Sequence, residues 1–386
     1  MNKLVKPPDI SPVEYVSRAI SGLRVLNLAA GSPDPTTIPS DEIRETYSDI
    51  LREYGAEALG YPGAGGLDEL KAELPSWCRS IGVDTAGMRF VVTSGAQHAI
   101  SLIAASVQPS YYIHEEPTFI ETLNSFKATD AKGLSIPMDN DGIIAREIER
   151  KLGRRKVEEE KGIIYTIPLA HNPTGVSMKT SRRTELAEIA KSHKLLMVED
   201  DPYRPIYPSP ESPILNEAPD STVYVSSFSK AVAPGLRVGF VATRMKWLAD
   251  RITALEQLDF STSSINQLVL AKLLRSGKIY QKLDYAKKLY RRKMNVLLDA
   301  LADNRFELLY QPSGGLYALV DLGVDSQSLL AKALQKGVAY VPGVKFFQHA
   351  TPMAKRSSRL SVGKIPLAQI DEAVNTLGKV AHRLGR

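Results

Sequence analysis

The chain has 386 residues, of which 43% are hydrophobic, and carries a formal net charge of +6 with a pI near 9.1. This length exceeds one ordinary hydrophobic core, and the apolar content is sufficient to bury two, which predicts a globular protein of two domains. The basic residues are dispersed, or mixed with acidic ones as in "GRRKVEEEKG", which favours solvated faces over a nucleic-acid-binding surface. No apolar run is long enough to span a bilayer, so we expect neither a nucleic acid nor a membrane as partner.

Cysteine and histidine usage indicates the compartment and argues against a metal site. The single cysteine, Cys78, cannot form an internal disulfide, and the first residues, "MNKLVKPPDI", lack the apolar core of a secretion signal. We therefore expect a reducing cytoplasm. The six histidines and one cysteine show no metal-ligand spacing, so no metal is predicted.

Short β-rich runs alternate with helical patterns between about residues 66 and 260. The runs are "FVVT", "YYIHEE", "IIYTI", "LLMVED", "TVYVSS" and "VGFVAT". The alternation predicts an α/β fold whose large domain has a mainly parallel sheet, of seven-stranded type, between helices. One helix is predicted at "AQHAISLIAASV" by its i, i+3, i+4, i+7 apolar stripe, and a second at "SRRTELAEIAKSHK", with Ser181 as its N-cap.

After about residue 263 the pattern changes to that of a smaller α+β domain. A long helical stretch runs through residue 304, followed by "GGLYALVDL", a helix near 326–336 and a final helix from about 366 to 384. We predict three parts: residues 1–45 as an N-terminal segment of the small domain and active-site cap, 46–262 as the large ligand-binding domain, and 263–386 as the small C-terminal domain.

Polar and aromatic side chains follow the strand-like runs, at the edge where open α/β sheets bind ligands. The turn 94–97 leads into a helix whose N–H groups suit a phosphate. Asp200 ends an otherwise apolar strand, where a carboxylate needs a cationic partner. A phosphate, a carbonyl for a lysine, a ring cation and an aromatic face can belong to one ligand, and pyridoxal 5′-phosphate has each of them. The residues at these run ends are Ser94, Gly95, Ala96, Gln97, Phe119, Asn172, Asp200, Tyr203, Lys230 and Arg237.

The run "SFSK" admits another interpretation. Ser227 to Lys230 reads as S-x-x-K, the serine-nucleophile signature of penicillin-binding proteins. That chemistry also needs "SDN" and "KTG" signals, and neither string occurs in the chain. The sequence therefore favours Lys230 as the nucleophile, through an imine with a carbonyl.

With these residues in place, the sequence resembles the fold-type I, pyridoxal-phosphate-dependent aminotransferases, in the class I and II subgroup that includes 2-aminoadipate, kynurenine and aromatic transaminases. The resemblance extends from about residue 27 to about residue 363. It rests on motifs in the family's order: "GYPGAGGLDELK", "TSGAQHA", "EEPTF", "NPTG", "EDDPY", "SFSKAVAPGLRVG" and "RLSVG".

The resemblance implies roles around the cofactor ring. Lys230 would form the Schiff base with the cofactor aldehyde, and Asp200 would pair with the pyridinium nitrogen. Tyr203 and Asn172 would hydrogen-bond the phenolate oxygen, and Phe119 would stack on the ring.

The resemblance also implies the anion sites. The phosphate would be held by Ser94, Gly95, Ala96, Gln97, Ser227 and Arg237, and by Tyr61 of the neighbouring subunit, which implies a homodimer with active sites at the subunit interface. Arg359 would bind the substrate α-carboxylate, with Gly31 and Asn172 beside it. His98 and His171 are interpreted as supporting or packing residues.

The implied activity is transfer of an amino group from an L-amino acid to a 2-oxo acid, expected to be 2-oxoglutarate, with ping-pong kinetics. The segment 11–20 is the expected substrate cap, with Tyr15, Arg18 and Arg24 as candidates to meet the distal end of the substrate. A cationic cap favours 2-aminoadipate or glutamate, whereas an apolar pocket favours aromatic or branched-chain donors, and we expect broad specificity.

Two alternatives remain open from the sequence. A β-lyase uses the same scaffold and cofactor but breaks a different bond. A ligand-sensing regulator resembles these enzymes in its C-terminal half and carries a winged-helix domain ahead of it. Because only about 26 residues precede the match here, we expect an enzyme.

Overall fold

The computed structural model describes residues 24–153 and 161–384, together with residues 16, 18, 20 and 22. The candidate Tyr15 lies outside the described residues. The helices are α1 Ser40–Tyr54, α2 Asp68–Ser80, α3 Ala96–Val107, α4 Ile120–Lys127, α5 Ala145–Leu152, α6 Thr180–Ser192, α7 Ile214–Glu217, α8 Lys246–Glu256, α9 Ser264–Ser276, α10 Ile279–Asp303, α11 Ser326–Gln335, α12 Pro352–Arg356 and α13 Ile370–Leu384. The strands are β1 Leu26–Asn27, β2 Arg89–Thr93, β3 Tyr111–Glu116, β4 Lys132–Asp139, β5 Gly142–Ile143, β6 Gly162–Thr166, β7 Leu196–Asp200, β8 Thr222–Ser227, β9 Gly239–Thr243, β10 Glu307–Leu308, β11 Tyr317–Asp321, β12 Val338–Ala339, β13 Val341–Pro342 and β14 Ser357–Ser361.

The large sheet has the strand order β2-β9-β8-β7-β6-β3-β4-β5. Strands β8, β7, β6, β3 and β4 pair in parallel, whereas β9 is antiparallel to β2 and β8, and the short β5 is antiparallel to β4. The predicted mainly parallel sheet is therefore confirmed. Its parallel strands place their carboxyl ends along one edge, where ligands bind in open α/β sheets.

Two details of the sequence interpretation are wrong for local reasons. The strand β4 was absent from the predicted runs because Pro137 lies within it, and proline lowers the strand signal. The helix α6 begins at Thr180, and Lys179 is its N-cap, because the carbonyl of Lys179 accepts hydrogen bonds from the backbone N–H groups of Arg182 and Arg183. Ser181 thus lies in the first turn and is not the N-cap.

The predicted helix at residues 96–107 is confirmed as α3. Its stripe side chains Ala99, Ile100 and Ile103 are buried in the core of the large sheet. The predicted long helical stretch from 263 to 304 is two helices, α9 and α10, because the chain turns at Gly277, whose φ of 71° is in the left-handed region.

The small domain has an antiparallel sheet of order β10-β11-β14-β13, and β1 pairs in parallel with β12 beside it. One hydrophobic cluster lies on the large sheet and another on the small sheet. The long helix α10 contributes to both, since Tyr290 packs in the first cluster and Met294 in the second. The change of core therefore falls within α10, and the division of the chain at residues 262 and 263 stays a prediction.

Candidate active site

A cavity of about 720 Å³ opens at the carboxyl edge of the parallel strands. The ends of β7 and β8 contribute Asp200 and Ser227, and the segment after β6 contributes Ile167. Most of the residues that the sequence predicted for the site line this one cavity. They are Gly31, Ala96, Gln97, Phe119, Asn172, Asp200, Tyr203, Ser227, Lys230, Arg237 and Arg359.

Asp200 is 5% exposed and lies at the last position of β7. Its Oδ2 accepts a hydrogen bond of 2.8 Å from the hydroxyl of Tyr165, while its Oδ1 has no hydrogen-bond partner among the described residues. Burial raises the pKa of Asp200 to about 7. The hydrogen bond from Tyr165 and the charge of Lys230 both act in the opposite direction and lower this pKa. The carboxylate is therefore arranged to receive a cation at Oδ1.

Lys230 lies three residues beyond the end of β8, and its half-buried side chain enters the same cavity. Its Nζ donates a hydrogen bond of 2.7 Å to the carbonyl of Gly31. Gly31 has no room for a Cβ, which would collide with the hydroxyl of Tyr317. The predicted backbone contact of Gly31 with substrate stays a prediction, and its observed partner is the lysine.

Arg359 is 1% exposed and lies on β14 of the small sheet. Its Nη2 donates to the carbonyl of Ala29 at 2.7 Å and its Nη1 donates to Oδ1 of Asn172 at 3.1 Å. The guanidinium carbon lies 4.7 Å from the ring centroid of Tyr317 and 5.0 Å from that of Phe346. The Nε has no partner in the part of the chain that the structure describes, so a planar N–H edge remains for an anion.

Two tyrosines close the side of the cavity between the domains. The hydroxyl of Tyr203 donates to that of Tyr317 at 3.3 Å, and their rings meet edge to face with centroids 5.8 Å apart. Burial raises the pKa of Tyr203 well above its ordinary value, with the nearby Tyr317 acting in the same direction. Tyr203 is therefore a hydrogen-bond donor at neutral pH.

The turn before α3 provides an anion cradle. Gly95 caps the helix with a φ of 89°, and no side chain bonds the first N–H groups of α3. A Cβ on Gly95 would lie 3.1 Å from Nη2 of Arg237, whose guanidinium donates to the carbonyl of Ser94 at 2.7 Å. Ser94 and Gly95 thus lie beside the cavity rather than in its lining, and they position the groups that do line it.

Ser227 and Ser229 complete this cradle. The hydroxyl of Ser227 donates to that of Ser229 at 2.9 Å and accepts the backbone N–H of Ser229 at 3.1 Å. Nδ1 of His98 accepts the backbone N–H of Ser94 at 3.1 Å, which fits the supporting role expected for this histidine. Hydroxyls, helix N–H groups and a guanidinium together suit a phosphate.

Tyr61 lies away from this cavity. Its side chain is 86% exposed, and its ring packs against that of Phe260 with centroids 5.2 Å apart. Its predicted contact with the neighbouring subunit stays a prediction. Of the candidates for the substrate cap, Arg18 lines the cavity, whereas Arg24 lines a separate cleft that also contains Lys336.

Buried polar residues lie behind the loop that carries Asn172. His171 is 0% exposed, its Nδ1 lies 2.9 Å from the hydroxyl of Thr174, and its Nε2 lies 4.0 Å from Glu115. Burial lowers the pKa of His171 to about 3 and raises that of Glu115 to about 7. The packing role expected for His171 fits this position.

The sequence interpretation did not identify several of these residues. Tyr165, Tyr317 and Ser229 are in or beside the cavity because of strand pairing and domain packing, and no motif marked them. A usable signal existed for two of them: Ser229 lies inside "SFSK", and Tyr317 follows the glycine pair of "GGLYALVDL". The other unpredicted lining residues are Ser32, Ile100, Glu121, Thr122, Ile167 and Pro202.

Neither a metal-binding cluster nor a membrane-spanning helix is found among the described residues. They contain no group of three or more His, Cys, Asp or Glu side chains placed to hold a metal ion. None of their helices combines the length and the apolar character needed to traverse a membrane.

Known proteins are similar to this chain in both fold and sequence. The family model "Aminotransferase class I and II" matches residues 24–377. Aromatic-amino-acid aminotransferase 1 of Thermococcus litoralis is 30% identical over 380 residues, covering 96% of this chain and 91% of that protein. The 2-aminoadipate transaminase of Thermus thermophilus is 30% identical over 372 residues, covering 93% and 91%. The crystal structure of Pyrococcus horikoshii kynurenine aminotransferase, in complex with PMP, superposes with a TM-score of 0.92 at 28% identity and covers 100% of this chain and 98% of that one.

A regulator is also among the similar proteins. The HTH-type transcriptional regulator YdfD of Bacillus subtilis is 25% identical over 390 residues, which cover 98% of this chain and 79% of that protein. Proteins with different names therefore share sequence similarity with this chain.

An α/β fold that collects a lysine, an aspartate and an arginine in one cavity between a large and a small sheet defines an enzyme of the aminotransferase type. The chain belongs to the class I and II aminotransferases. The predicted family, fold class and enzyme class are confirmed, and pyridoxal 5′-phosphate is the cofactor of this family, as predicted.

Proposed function

We propose that this chain moves the amino group of an L-amino acid to a 2-oxo acid with the help of pyridoxal 5′-phosphate. The observation that carries the proposal is the meeting of Lys230, Asp200 and Arg359 in one cavity, although they come from different parts of the chain. An amine, a buried carboxylate and a buried guanidinium are the groups needed by a carbonyl cofactor with a ring nitrogen and by an amino-acid carboxylate.

The residues fit the cofactor at both of its polar ends. Oδ1 of Asp200 is buried without a partner among the described residues, and a protonated pyridine nitrogen would satisfy it. The N-terminus of α3, the hydroxyls of Ser227 and Ser229 and the guanidinium of Arg237 suit the phosphate. The ring would lie between these ends, with Phe119, Tyr203 and Asn172 beside it.

When bound, pyridoxal phosphate supplies an electrophilic carbon and a conjugated ring that withdraws electrons from the substrate. The chain supplies binding and proton transfer. Arg359 binds the α-carboxylate through its remaining N–H edge and fixes the substrate with Cα near Lys230. Nζ of Lys230 would then be placed to accept the proton of the substrate Cα and to donate it again. Asp200 would place a negative charge beside the ring nitrogen, which favours electron withdrawal.

The amino donor and acceptor follow from relatives and from the cavity. The relatives named above act on aromatic amino acids, 2-aminoadipate and kynurenine, so we propose donors of those types, or branched-chain ones, with 2-oxoglutarate as acceptor and ping-pong kinetics. The lining includes apolar Ile100 and Phe119 as well as charged Arg18, which supports broad specificity.

The assembly and location complete the proposal. The exposed ring of Tyr61 packs against the exposed ring of Phe260, and Leu59 and Leu258, each two residues along the chain from one of them, are exposed as well. Exposed apolar side chains of this kind suit a subunit interface. We propose a homodimer whose Tyr61 reaches the partner's phosphate site. We place it in the cytoplasm, because its single cysteine is buried and forms no internal disulfide.

Replacement of the lysine tests the function directly. Wild-type protein loaded with cofactor, reduced with borohydride and digested should yield a cofactor-labelled peptide at Lys230. Lys230→Ala should yield none and lose turnover by roughly 10²- to 10⁴-fold or more, whereas Lys332→Ala, at an exposed helical position, should match wild type. Retained turnover in Lys230→Ala would contradict the assignment.

Product analysis separates the alternatives. Release of ammonia and a 2-oxo acid from one amino acid, without an amino acceptor, would indicate a lyase. Cofactor binding without turnover on any amino donor would indicate a sensing module.

A further inference from the structure

A tyrosine that no motif marked makes the hydrogen bond of 2.8 Å to the cofactor-facing carboxylate. The hydroxyl of Tyr165 donates to Oδ2 of Asp200, and both residues are buried. The hydroxyl thereby occupies one carboxylate oxygen and leaves Oδ1 for another partner. The carboxylate is thus held in one orientation by a side chain of the protein itself.

Strand register explains why this pair meets. Tyr165 on β6 lies opposite Val198 on β7, and Asp200 is two positions further along β7. Residues two apart on a strand share a face, so Tyr165 and Asp200 are diagonal neighbours on one face of the sheet. A diagonal separation suits a long side chain with a terminal donor, which tyrosine provides.

We propose that Tyr165 is a positioning residue for the reaction: its hydroxyl orients Asp200 and keeps it ionised, so that the cofactor's ring nitrogen stays protonated. The inference rests on the proposed function, because it needs the cofactor in this cavity. Tyr165 also lies beside Thr122, which lines the cavity, but the role proposed here runs through the aspartate and needs no contact with cofactor or substrate.

The surroundings make this hydrogen bond consequential. Glu115 and Asp201 are the acidic groups near the pair, and Lys230 faces Asp200 from the cavity. Burial and the charge of Asp201 both favour the neutral acid at Asp200, while Tyr165 and Lys230 favour the carboxylate. Burial also raises the pKa of Tyr165 well above its usual range, so the hydroxyl keeps its proton and remains a donor.

The chain offers a matched control on the next strands. The hydroxyl of Tyr224 on β8 donates to Oδ2 of Asp201 at 3.3 Å, and Tyr224 is as fully buried as Tyr165. Tyr224→Phe therefore removes a buried hydroxyl from the same sheet, next to a carboxylate that does not line the cavity. Tyr165→Phe and Tyr224→Phe differ in which carboxylate loses its donor.

The first measurement is the dissociation constant of pyridoxal phosphate for the cofactor-free protein, by fluorescence titration. Loss of a charge-assisted hydrogen bond predicts about tenfold weaker binding for Tyr165→Phe and wild-type binding for Tyr224→Phe. In the Asp200→Ala background, Tyr165→Phe should cause no further loss, because the group through which it acts is gone. Tyr165→Phe alone leaves Oδ2 of Asp200 buried without a hydrogen-bond donor, and Asp200→Ala removes that oxygen.

The second measurement is the protonation state of the cofactor's ring nitrogen, by ¹⁵N nuclear magnetic resonance. With cofactor labelled by ¹⁵N in the ring, the nitrogen resonance of Tyr165→Phe should move towards that of unprotonated pyridine, and that of Tyr224→Phe should not. In steady state, kcat should fall while KM for the amino donor stays within about twofold, since Arg359 is untouched.

The outcomes separate this inference from the proposed function. If wild-type protein does not bind the cofactor, the proposed function fails and this inference fails with it. If wild-type protein binds it and Tyr165→Phe shows wild-type affinity and an unmoved ¹⁵N resonance, only the role of Tyr165 is overturned. Equal effects of Tyr224→Phe would also overturn it, because they would indicate a general effect on the sheet.

Discussion

Arg359 and Asn172 join the two domains at the cavity: Nη1 of the arginine, on the small sheet, donates to Oδ1 of the asparagine, after β6 of the large sheet, at 3.1 Å. The same guanidinium donates to the carbonyl of Ala29 at 2.7 Å. The group proposed to bind the substrate carboxylate is therefore oriented by the group proposed to contact the cofactor ring. Substrate position and ring position are consequently set by one hydrogen-bonded unit.

Arg359→Lys should impair recognition of the donor carboxylate far more than its charge-conserving nature suggests. Lysine keeps the charge but loses the planar fork, and it cannot serve Asn172, Ala29 and a carboxylate together. We expect kcat/KM for the amino acid to fall by about 10²-fold, mainly through KM. Steady-state kinetics with an amino donor and with its decarboxylated amine check this. The ratio of kcat/KM for the amino acid to kcat/KM for the amine should be smaller in the variant than in wild type. An unchanged ratio would show that Arg359 does not bind the substrate carboxylate.

Glu115→Gln should remove a pH-dependent destabilisation. Burial raises the pKa of Glu115 to about 7, so the folded protein retains a proton that the unfolded chain releases above its ordinary pKa of 4.5. The folded state therefore loses stability as pH rises from about 4.5 to about 7, by on the order of 3 kcal/mol for this group. The glutamine stays neutral, so unfolding free energies from urea titrations should favour the variant increasingly towards pH 8.

A surface substitution provides the control for this slope. Glu149 is exposed, and Glu149→Gln should track wild type across the range. Glu199, another buried carboxyl with a raised pKa, is present in every protein compared, so its contribution cancels in the difference. A pH-independent difference between Glu115→Gln and wild type would show that Glu115 is ionised throughout.

The sequence predicted those site residues whose positions follow from chain order and strand direction. Asp200 and Lys230 follow parallel strands, and such strands meet at one edge, so residues at their carboxyl ends must lie close together. Tyr165 and Tyr317 could not be predicted in this way. Tyr165 lies inside a strand and reaches Asp200 diagonally. Tyr317 meets Arg359 because β11 pairs with β14 in the small sheet, and it meets Tyr203 because the small sheet packs against the large one. Register and domain packing are tertiary properties that no local motif contains.

The same limit applies to helix starts. Ser181 has the residue type of an N-cap, yet α6 begins at Thr180, with no side-chain cap on its first turn. Residue propensity is a weak signal for the start of a helix where side-chain packing determines it. Arg183 is fully buried and donates hydrogen bonds to the carbonyls of Met178, Pro168 and Ser212, and these bonds fix the first turn of α6.

Lys293→Met should destabilise the junction between the domains. Lys293 is fully buried on α10, and its Nζ donates to Oδ2 of Asp34 at 2.6 Å and to the carbonyls of Val362 and Gly363 at 3.0 Å. Removal of the cation leaves a buried carboxylate without its partner, which costs about 3–5 kcal/mol. Thermal unfolding should show a clearly lower Tm, whereas Lys288→Met, exposed on the same helix, should shift it little. An equal Tm for both variants would show that the ion pair contributes nothing net.

Hybrid dimers should reveal whether Tyr61 serves its own subunit or the partner. Tyr61→Phe removes the hydroxyl proposed to reach the partner's phosphate and should weaken cofactor binding by about tenfold. Lys230→Ala inactivates the site that contains it. In a hybrid of the two variants, one site would combine an intact Lys230 with an intact Tyr61 from the other subunit. That site should bind the cofactor with wild-type affinity and turn over at about half the wild-type rate per dimer.

The opposite geometry predicts a different hybrid. If Tyr61 served the site of its own chain, each site of the hybrid would contain one substitution, and no site of wild-type affinity would form. Differently tagged subunits, mixed after mild unfolding and purified on both tags, give the hybrid free of the parent dimers. The control is Tyr285→Phe. Tyr285 is also an exposed tyrosine but lies on α10, so this variant should leave cofactor affinity unchanged. A doubly tagged species that cannot be recovered at all, together with a monomeric mass in solution, would contradict the proposed dimer itself.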